Sequence, residues 1–216
     1  MRVIEKFVSI NGEGLRQGEL AVFIRFANCN LRCSYCDTKY SFEKPIYSDE
    51  SIDEIIDYVN KQKIKNITLT GGEPLIQDGI DELINKLSDL GYRIEIETNG
   101  SVDIKKYLNP NVSFTLDYKL PTSLMEKNMN VDNYKYITKK DSVKFVCGSS
   151  IDLNKALEIM NKYDLINKTN CLLSPVFGMI KLDDIVDFMI KNNLNDVKYC
   201  LQIHKVIWDP NKRGVW

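Results

Sequence analysis

The sequence predicts an α/β protein built as an incomplete, open (β/α) barrel, and three observations lead there. Short β-branched runs alternate with amphipathic helical stretches through most of the chain, the pattern of a parallel sheet flanked by helices. Six or so such units fit into 216 residues, short of the roughly 250 that a complete eight-fold barrel takes. No fixed-period repeat, low-complexity tract or Pro/Gly/Ser linker interrupts them, so residues 1–216 are expected to form one domain. A doubly wound sheet is the alternative, and periodicity alone does not separate the two.

Taken in order, residues 1–7 (MRVIEKF) intersperse charges among apolar side chains and lack the uninterrupted apolar stretch of a signal peptide, so a cytoplasmic location is expected. Residues 21–26 (AVFIRF) form the first apolar run short enough to be a strand. Ser51 with Glu54 three residues on is a capping box, and Ile52, Ile55, Ile56 and Val59 then share one helical face. Residues 66–70 (NITLT) make the next strand. Asp78 precedes Ile80, Leu83, Ile84 and Leu87 at helical spacing, and Gly91 stands where a helix wants a left-handed terminal residue. Strands are predicted at 92–97, 112–117, 143–147, 171–174 and 199–204, with further helices at 152–160 and 182–190.

Composition excludes several classes of function. Lys+Arg 29 against Asp+Glu 30 leaves a net charge of −1, too little to hold a phosphate backbone, so no nucleic-acid partner is expected. No apolar run approaches the roughly 18 residues of a membrane span. The single histidine, His204, excludes H-E-x-x-H and two-His-one-carboxylate metal sites, so any metal chemistry runs on sulfur or oxygen. G-x-S-x-G and the phosphate-binding G-x-x-x-x-G-K-[ST] are missing as well.

Cys29, Cys33 and Cys36 form C-x3-C-x2-C, whereas Cys147, Cys171 and Cys200 are isolated in segments that read as buried strands. Three clustered thiolates leave a four-site metal or cluster one ligand short. One reading is a structural zinc completed by a distant Cys147, Cys171, Cys200 or His204, although the second C-x2-C knuckle usual for zinc is lacking. The other is a four-iron cluster with one iron open to a small molecule. The triplet follows strand 21–26 directly, at the carboxyl end of a parallel strand where α/β enzymes carry out their chemistry.

Other strand ends carry polar motifs. Thr70-Gly71-Gly72-Glu73-Pro74 offers backbone that a ligand can approach closely, and reads equally well as a turn. Glu97-Thr98-Asn99-Gly100 is an Asn-Gly turn or a ligand contact. Asp117-Tyr118-Lys119 offers a charge to a ribose or carboxylate, and Ser174-Pro175-Val176-Phe177-Gly178 an apolar wall. Arg25 sits in an otherwise apolar strand, where a guanidinium needs an anion: a substrate carboxylate, or Glu13 or Glu97 in a structural pair. Glu13 is a candidate acceptor for a guanidine-like N–H edge, or an exposed turn carboxylate. In a strand 199–204, Gln202 and His204 would project on the same side.

The triplet, with Tyr35 just before its last cysteine, resembles the radical S-adenosylmethionine (SAM) superfamily, and Gly72-Glu73 resembles its Gly-Gly-Glu element. The resemblance implies a TIM-type partial barrel, a [4Fe-4S] cluster on Cys29, Cys33 and Cys36, and cleavage of SAM on the open iron to a 5'-deoxyadenosyl radical. It assigns Tyr35, Cys36, Asp37, Gly72, Glu73, Asp117, Tyr118, Lys119 and Ser174 to SAM. Ser9-Ile10-Asn11-Gly12-Glu13-Gly14, residues 23–31 and Cys36-Asp37-Thr38, with Gln202, His204 and Arg213-Gly214-Val215, are similar to the 7-carboxy-7-deazaguanine synthase family. This implies contraction of the pterin ring of 6-carboxy-5,6,7,8-tetrahydropterin with loss of ammonia, on the route to queuosine. It further implies Mg2+ on Thr38, with Ile10, Asn11, Gly12, Glu13, Arg25, Thr70, Gln202 and His204 around the substrate. A homodimer and an electron donor such as flavodoxin or ferredoxin come with it.

The chain departs from that family where Asn11 replaces the usual Gln, Asn28 the usual Gly and Tyr35 the usual Trp. Two rival readings stand beside it. A glycyl-radical-enzyme activase shares the triplet but explains neither the Asn-Gly-Glu-Gly start nor Thr38; a zinc-stabilised binding module gives no reason for Gly-Gly-Glu-Pro.

Overall fold

Strand parity organises the sheet. In the computed structural model, which describes residues 1–215, nine strands pair in the order β3-β1-β2-β4-β5-β6-β7-β8-β9, and the two ends of the sheet do not pair with each other. From β2 (Leu20–Phe26) through β4 (Asn66–Gly71), β5 (Arg93–Thr98), β6 (Val112–Tyr118), β7 (Ser142–Cys147), β8 (Asn170–Pro175) and β9 (Val197–Tyr199), every neighbour is parallel. β1 (Arg2–Ile10) joins β2 antiparallel, and the two-residue β3 (Ser48–Asp49) joins β1 in the same sense. The result is the open partial barrel that the βα alternation predicts.

A parallel sheet covered on both faces ordinarily reads as near-continuous apolar runs. Here β2 does so, whereas β4 to β7 largely alternate apolar with polar residues. Ile67 and Leu69, Ile94 and Ile96, Phe114 and Leu116, Val143 and Phe145, and Cys171 and Leu173 belong to one buried core with the helices. Their neighbours Thr68, Thr70, Glu95, Glu97, Thr115, Asp117, Ser142 and Lys144 point to the opposite face, into the barrel, because successive side chains alternate across a strand. There they meet one another: Thr70 donates to Glu97 at 2.8 Å, and Thr115 donates to Glu95 at 2.8 Å while lying 3.0 Å from the Ser142 hydroxyl. A polar lumen inside an apolar shell suits a polar ligand, since each buried polar group here costs stability unless it finds a partner.

The helices form where the pattern places them. α1 (Ile52–Gln62) opens on the complete Ser51/Glu54 capping box, buries Ile55 and Val59, and ends at Lys63 in the left-handed region. α2 (Ile80–Asp89) starts after Gly79, not Asp78, and Gly91 just beyond it has φ +81°. α3 (Ser150–Lys162) and the one-turn α4 (Leu165–Lys168) connect β7 to β8, and α5 (Leu182–Lys191) connects β8 to β9. The crossovers β5–β6 and β6–β7 contain only 3-10 turns, Lys105–Tyr107 in the first and Pro121–Ser123, Glu126–Asn128 and Val131–Lys135 in the second.

Two features differ from the sequence reading. Residues 2–10 form a strand, with Val3 buried and Phe7 stacked on Phe23 at 4.9 Å; its charged side chains interrupt the apolar pattern because much of the strand is only half-buried. The last strand ends at Tyr199 rather than running to 204. The chain leaves the sheet because Ile203 N–H bonds to Gly12 O and Gly14 N–H to the Cys200 sulfur, and His204 opens a short helix, α6 (His204–Ile207). The irregular segments 11–18 and 200–204 thus join across the open flank of the barrel.

Candidate active site

The carboxyl ends of β2, β4, β5, β6 and β7 open onto one cavity of about 330 Å³, walled in addition by the segments after β1, β8 and β9. Its two sides are built differently.

On one side lies the cysteine loop. It leaves β2 through Asn28, whose φ of +71° is the left-handed conformation that glycine adopts freely and asparagine tolerates best among the others, so the replacement of the family's Gly keeps the turn. The loop after β4 lies directly against it. Gly72 N–H donates to Phe26 O and Glu73 N–H to Asn28 O, and a Cβ on Gly72 would sit 1.9 Å from Asn28 O. The two glycines are therefore required first by loop-on-loop packing. The Glu73 carboxylate, fully buried behind the wall, accepts from Leu75 N–H, the Thr98 hydroxyl and Asn99 N–H at 3.0, 2.8 and 2.7 Å. Burial raises its pKa to about 7 despite those bonds. Asn99 in turn donates its amide to the Cys29 sulfur at 3.6 Å and to Asn30 at 2.9 Å. The Glu-Thr-Asn-Gly segment is thus a turn that braces the cysteine loop.

Cys29, Cys33 and Cys36 all line the cavity, as do Tyr35, Asp37, Thr38 and Gly72. Burial pushes the Cys33 thiol up and the Cys36 thiol to about 11, so a metal must displace their protons on binding. Among the described residues no three His, Cys, Asp or Glu side chains converge on a single ion. Three thiols on the wall of one cavity are the donor set that an iron–sulfur cluster takes. Leu31 N–H, 3.4 Å from the Cys29 sulfur, and the Asn99 amide supply the donors such a sulfur accepts. The buried Tyr35 hydroxyl has no hydrogen-bond partner among the described residues. Thr38 is buried and reaches Asp37 at 3.1 Å, and Asp37 bonds Lys205 of α6 at 2.9 Å.

The other side is a network of charges. Lys144 pairs with Glu13 and, at 3.4 Å, with Asp117; Asp117 also pairs with Lys119, and Gln202 donates to Glu13. Burial works to raise the Glu13 carboxyl, yet Lys144 and the bonds from Lys144 and Gln202 outweigh it and hold it below its ordinary value. Asp117 is lowered in the same manner, burial being outweighed by Lys119 and Lys144. Lys144 itself is held well above its ordinary value: burial opposes the charge, and Asp117, Glu13 and Glu97 prevail. Glu97, in contrast, is raised by burial, as is the His-to-neutral balance of His204, whose pKa falls to about 4. Glu95, one layer deeper, is raised to about 7 by burial and then by Glu97.

Of the other residues singled out in the sequence, Gly12, Thr70, Arg25, Gln202 and His204 line the cavity. Ile10 and Asn11 do not: Ile10 ends β1 opposite Leu20, and the buried Asn11 side-chain Oδ1 accepts from the Thr68 hydroxyl at 2.7 Å. Tyr118 faces away and donates to Glu126 at 3.1 Å, as parity requires beside an inward Asp117. Ser174 is buried off the cavity wall, while Pro175, Val176 and Phe177 supply the apolar surface. Arg25 pairs with Glu5 at 2.7 Å rather than with Glu13 or Glu97, since Glu5 stands opposite it across the β1–β2 ladder. His204 reaches the wall from α6, not from a strand, and packs so closely on Gly12 that a Cβ there would lie 2.0 Å from its Nδ1. Lys144 and Glu5 escape sequence reading, though a lysine between Val143 and Phe145 in a strand is a signal of an inward charge.

The chain resembles known proteins along nearly its whole length. Residues 23–189 match the radical SAM superfamily. A 7-carboxy-7-deazaguanine synthase from Clostridium acetobutylicum is 57% identical over 99% of both chains. One from Methanospirillum hungatei is 36% identical, over 97% of this chain and 86% of its own. The crystal structure of QueE from Escherichia coli superposes with a TM-score of 0.75, at 22% identity, covering 93% of this chain and 92% of that one.

Proposed function

The chain belongs to the 7-carboxy-7-deazaguanine synthases of the radical SAM superfamily, and from that premise we propose that it is a radical carbon–nitrogen lyase converting 6-carboxy-5,6,7,8-tetrahydropterin to 7-carboxy-7-deazaguanine. One observation carries the reading: a thiol-bearing loop and a network of carboxylates and cations face each other across one cavity. Cys29, Cys33 and Cys36 hold the [4Fe-4S] cluster. Tyr35, Gly72, Asp117 and Lys119 take SAM, with Glu73 acting from behind by holding Thr98 and Asn99 in place. Held there, the cluster and SAM would supply radical chemistry that takes a hydrogen from C6 of the pterin and gives it back after the ring has contracted, with ammonia as the leaving group.

The protein's own groups bind and orient. Glu13 accepts from the N–H edge of the pterin, and Arg25, braced by Glu5, meets its carboxylate. Gly12 and His204 close one flank, and His204, kept neutral by burial, adds no charge there. The Thr38 hydroxyl is a hard oxygen ligand suited to Mg2+, which keeps most of its waters and uses few protein groups. A homodimer, a flavodoxin- or ferredoxin-type electron donor and a cytoplasmic location complete the proposal.

The test is anaerobic incubation of the iron-reconstituted protein with dithionite, SAM, Mg2+ and 6-carboxytetrahydropterin, read by mass spectrometry. The expected result is 7-carboxy-7-deazaguanine, abolished by Cys33→Ala. Accumulation of 5'-deoxyadenosine without the deazaguanine would overturn the pterin assignment.

A further inference from the structure

One buried lysine lies at the centre of the charged side of the cavity, and none of the roles above uses it. Lys144 lies in β7 between Val143 and Phe145, which both enter the helix-covered core, so strand parity turns its ammonium into the barrel. It is 8% exposed, a position that is costly for a cation without close anions. It has two: Glu13 from the segment after β1 and Asp117 from the end of β6. The contact with Glu13 is made through Oε2, while Gln202 holds Oε1. A carboxylate offers about four lone-pair directions, two on each oxygen. With one on each oxygen occupied, each oxygen can still accept once more, so the cavity-lining carboxylate has capacity for two N–H donors on one ligand edge.

We propose that Lys144 is a positioning and specificity residue: together with Gln202 it orients the Glu13 carboxylate so that the site selects a planar ligand edge carrying two adjacent N–H donors. The inference rests on the pterin reading, in which that edge is the ring N–H and the 2-amino group. Without the ammonium, Glu13 and the neighbouring buried Glu97 lose the cation that offsets their repulsion, and Glu13 relieves it by swinging away or by protonation. Either change removes the paired acceptor. The same lysine touches Asp117 on the SAM side, so its loss also disturbs the boundary between the two ligands.

The experiment is calorimetric binding of 6-carboxytetrahydropterin and of its 2-deamino analogue to SAM-loaded holoenzyme without reductant, so that nothing turns over. In the unmodified protein the analogue should bind at least about tenfold more weakly, because a site built for a hydrogen bond rejects a ligand lacking it. In Lys144→Met the pterin Kd should rise about tenfold or more, and the ratio between the two ligands should fall below about threefold. Lys144→Arg, which keeps the charge, should keep the discrimination. If Lys144→Met does not fold, the double variant Glu13→Gln/Lys144→Met, with both charges gone, should show the same loss of discrimination. Unchanged discrimination in Lys144→Met or in the double variant, or its loss in Lys144→Arg, overturns the proposal while leaving the pterin assignment standing. Failure of the unmodified protein to bind the pterin overturns that assignment, and this inference with it.

Discussion

The two sides of the cavity are held by different forces. The cysteine side is a backbone construction: Gly72 and Glu73 donate main-chain bonds to the β2 loop, and one buried carboxylate ties three donors together. The opposite side is a side-chain construction, in which Glu13, Lys144, Asp117 and Lys119 alternate in charge and come from three distant segments. Backbone packing of this kind tolerates almost no added volume. The charged side tolerates changes of shape better than changes of charge, because a buried ion without its counter-ion costs several kcal/mol.

Gly72→Ala should separate the two sides most sharply. Its new Cβ would collide with Asn28 O, a backbone atom that cannot rotate away, so the cysteine loop must shift. The expected outcome is a loss of about 2 kcal/mol or more in stability, with iron content after reconstitution falling severalfold. Pterin binding to the charged side should fall far less, and an equal loss of both would break the distinction between them.

Beneath the charged side, Glu95 predicts a pH signature. Its folded pKa of about 7 lies above the ordinary 4.5, so the folded state holds a proton that the unfolded state has already released between those values. Stability from this group is therefore present at low pH, falls as pH rises from 4.5 to 7, and levels off above. Glu95→Gln should remove that slope, gaining on the order of 2–3 kcal/mol relative to the parent at pH 8 over pH 4.5 in chemical unfolding of the metal-free protein. A difference between the two proteins that does not vary with pH would show that Glu95 is ionised in the fold.

Glu5→Gln should have the smallest effect. It keeps the shape of the group that takes bonds from Arg25 and from the Tyr40 hydroxyl but removes its charge. About 1 kcal/mol in stability and a severalfold rise in the Kd of the pterin acid are expected by denaturation and calorimetry. If pterin affinity is untouched, Arg25 is held by Glu5 for the fold alone.

Much of this architecture is legible in the chain. The capping box at Ser51, the apolar helical faces and the C-x3-C-x2-C spacing are local patterns, each settled within a few residues by backbone geometry. Residues 2–10 are harder to read because a half-buried strand shows little contrast between its faces. Residues 199–204 mislead because they alternate like a strand, while Gly12 and Gly14, whose bonds with Ile203 and Cys200 take them out of the sheet, lie roughly 190 residues away. Arg25 was recognisable as needing an anion, but Glu5 became its partner only through the register of a strand that local pattern does not reveal.

By itself, then, the sequence determines which side chains carry the chemistry and which strand ends bear them, since motif spacing and helical or strand period are properties of neighbouring residues. Tertiary structure decides what those side chains face. Glu13 and Lys144 are 131 positions apart, and they meet because parity turns Lys144 inward and segment 11–18 folds back across the open flank of the barrel. A slip of one residue in β7 would send Lys144 into the apolar core, which is the physical reason that register, and not composition, assembles the charged side of the site.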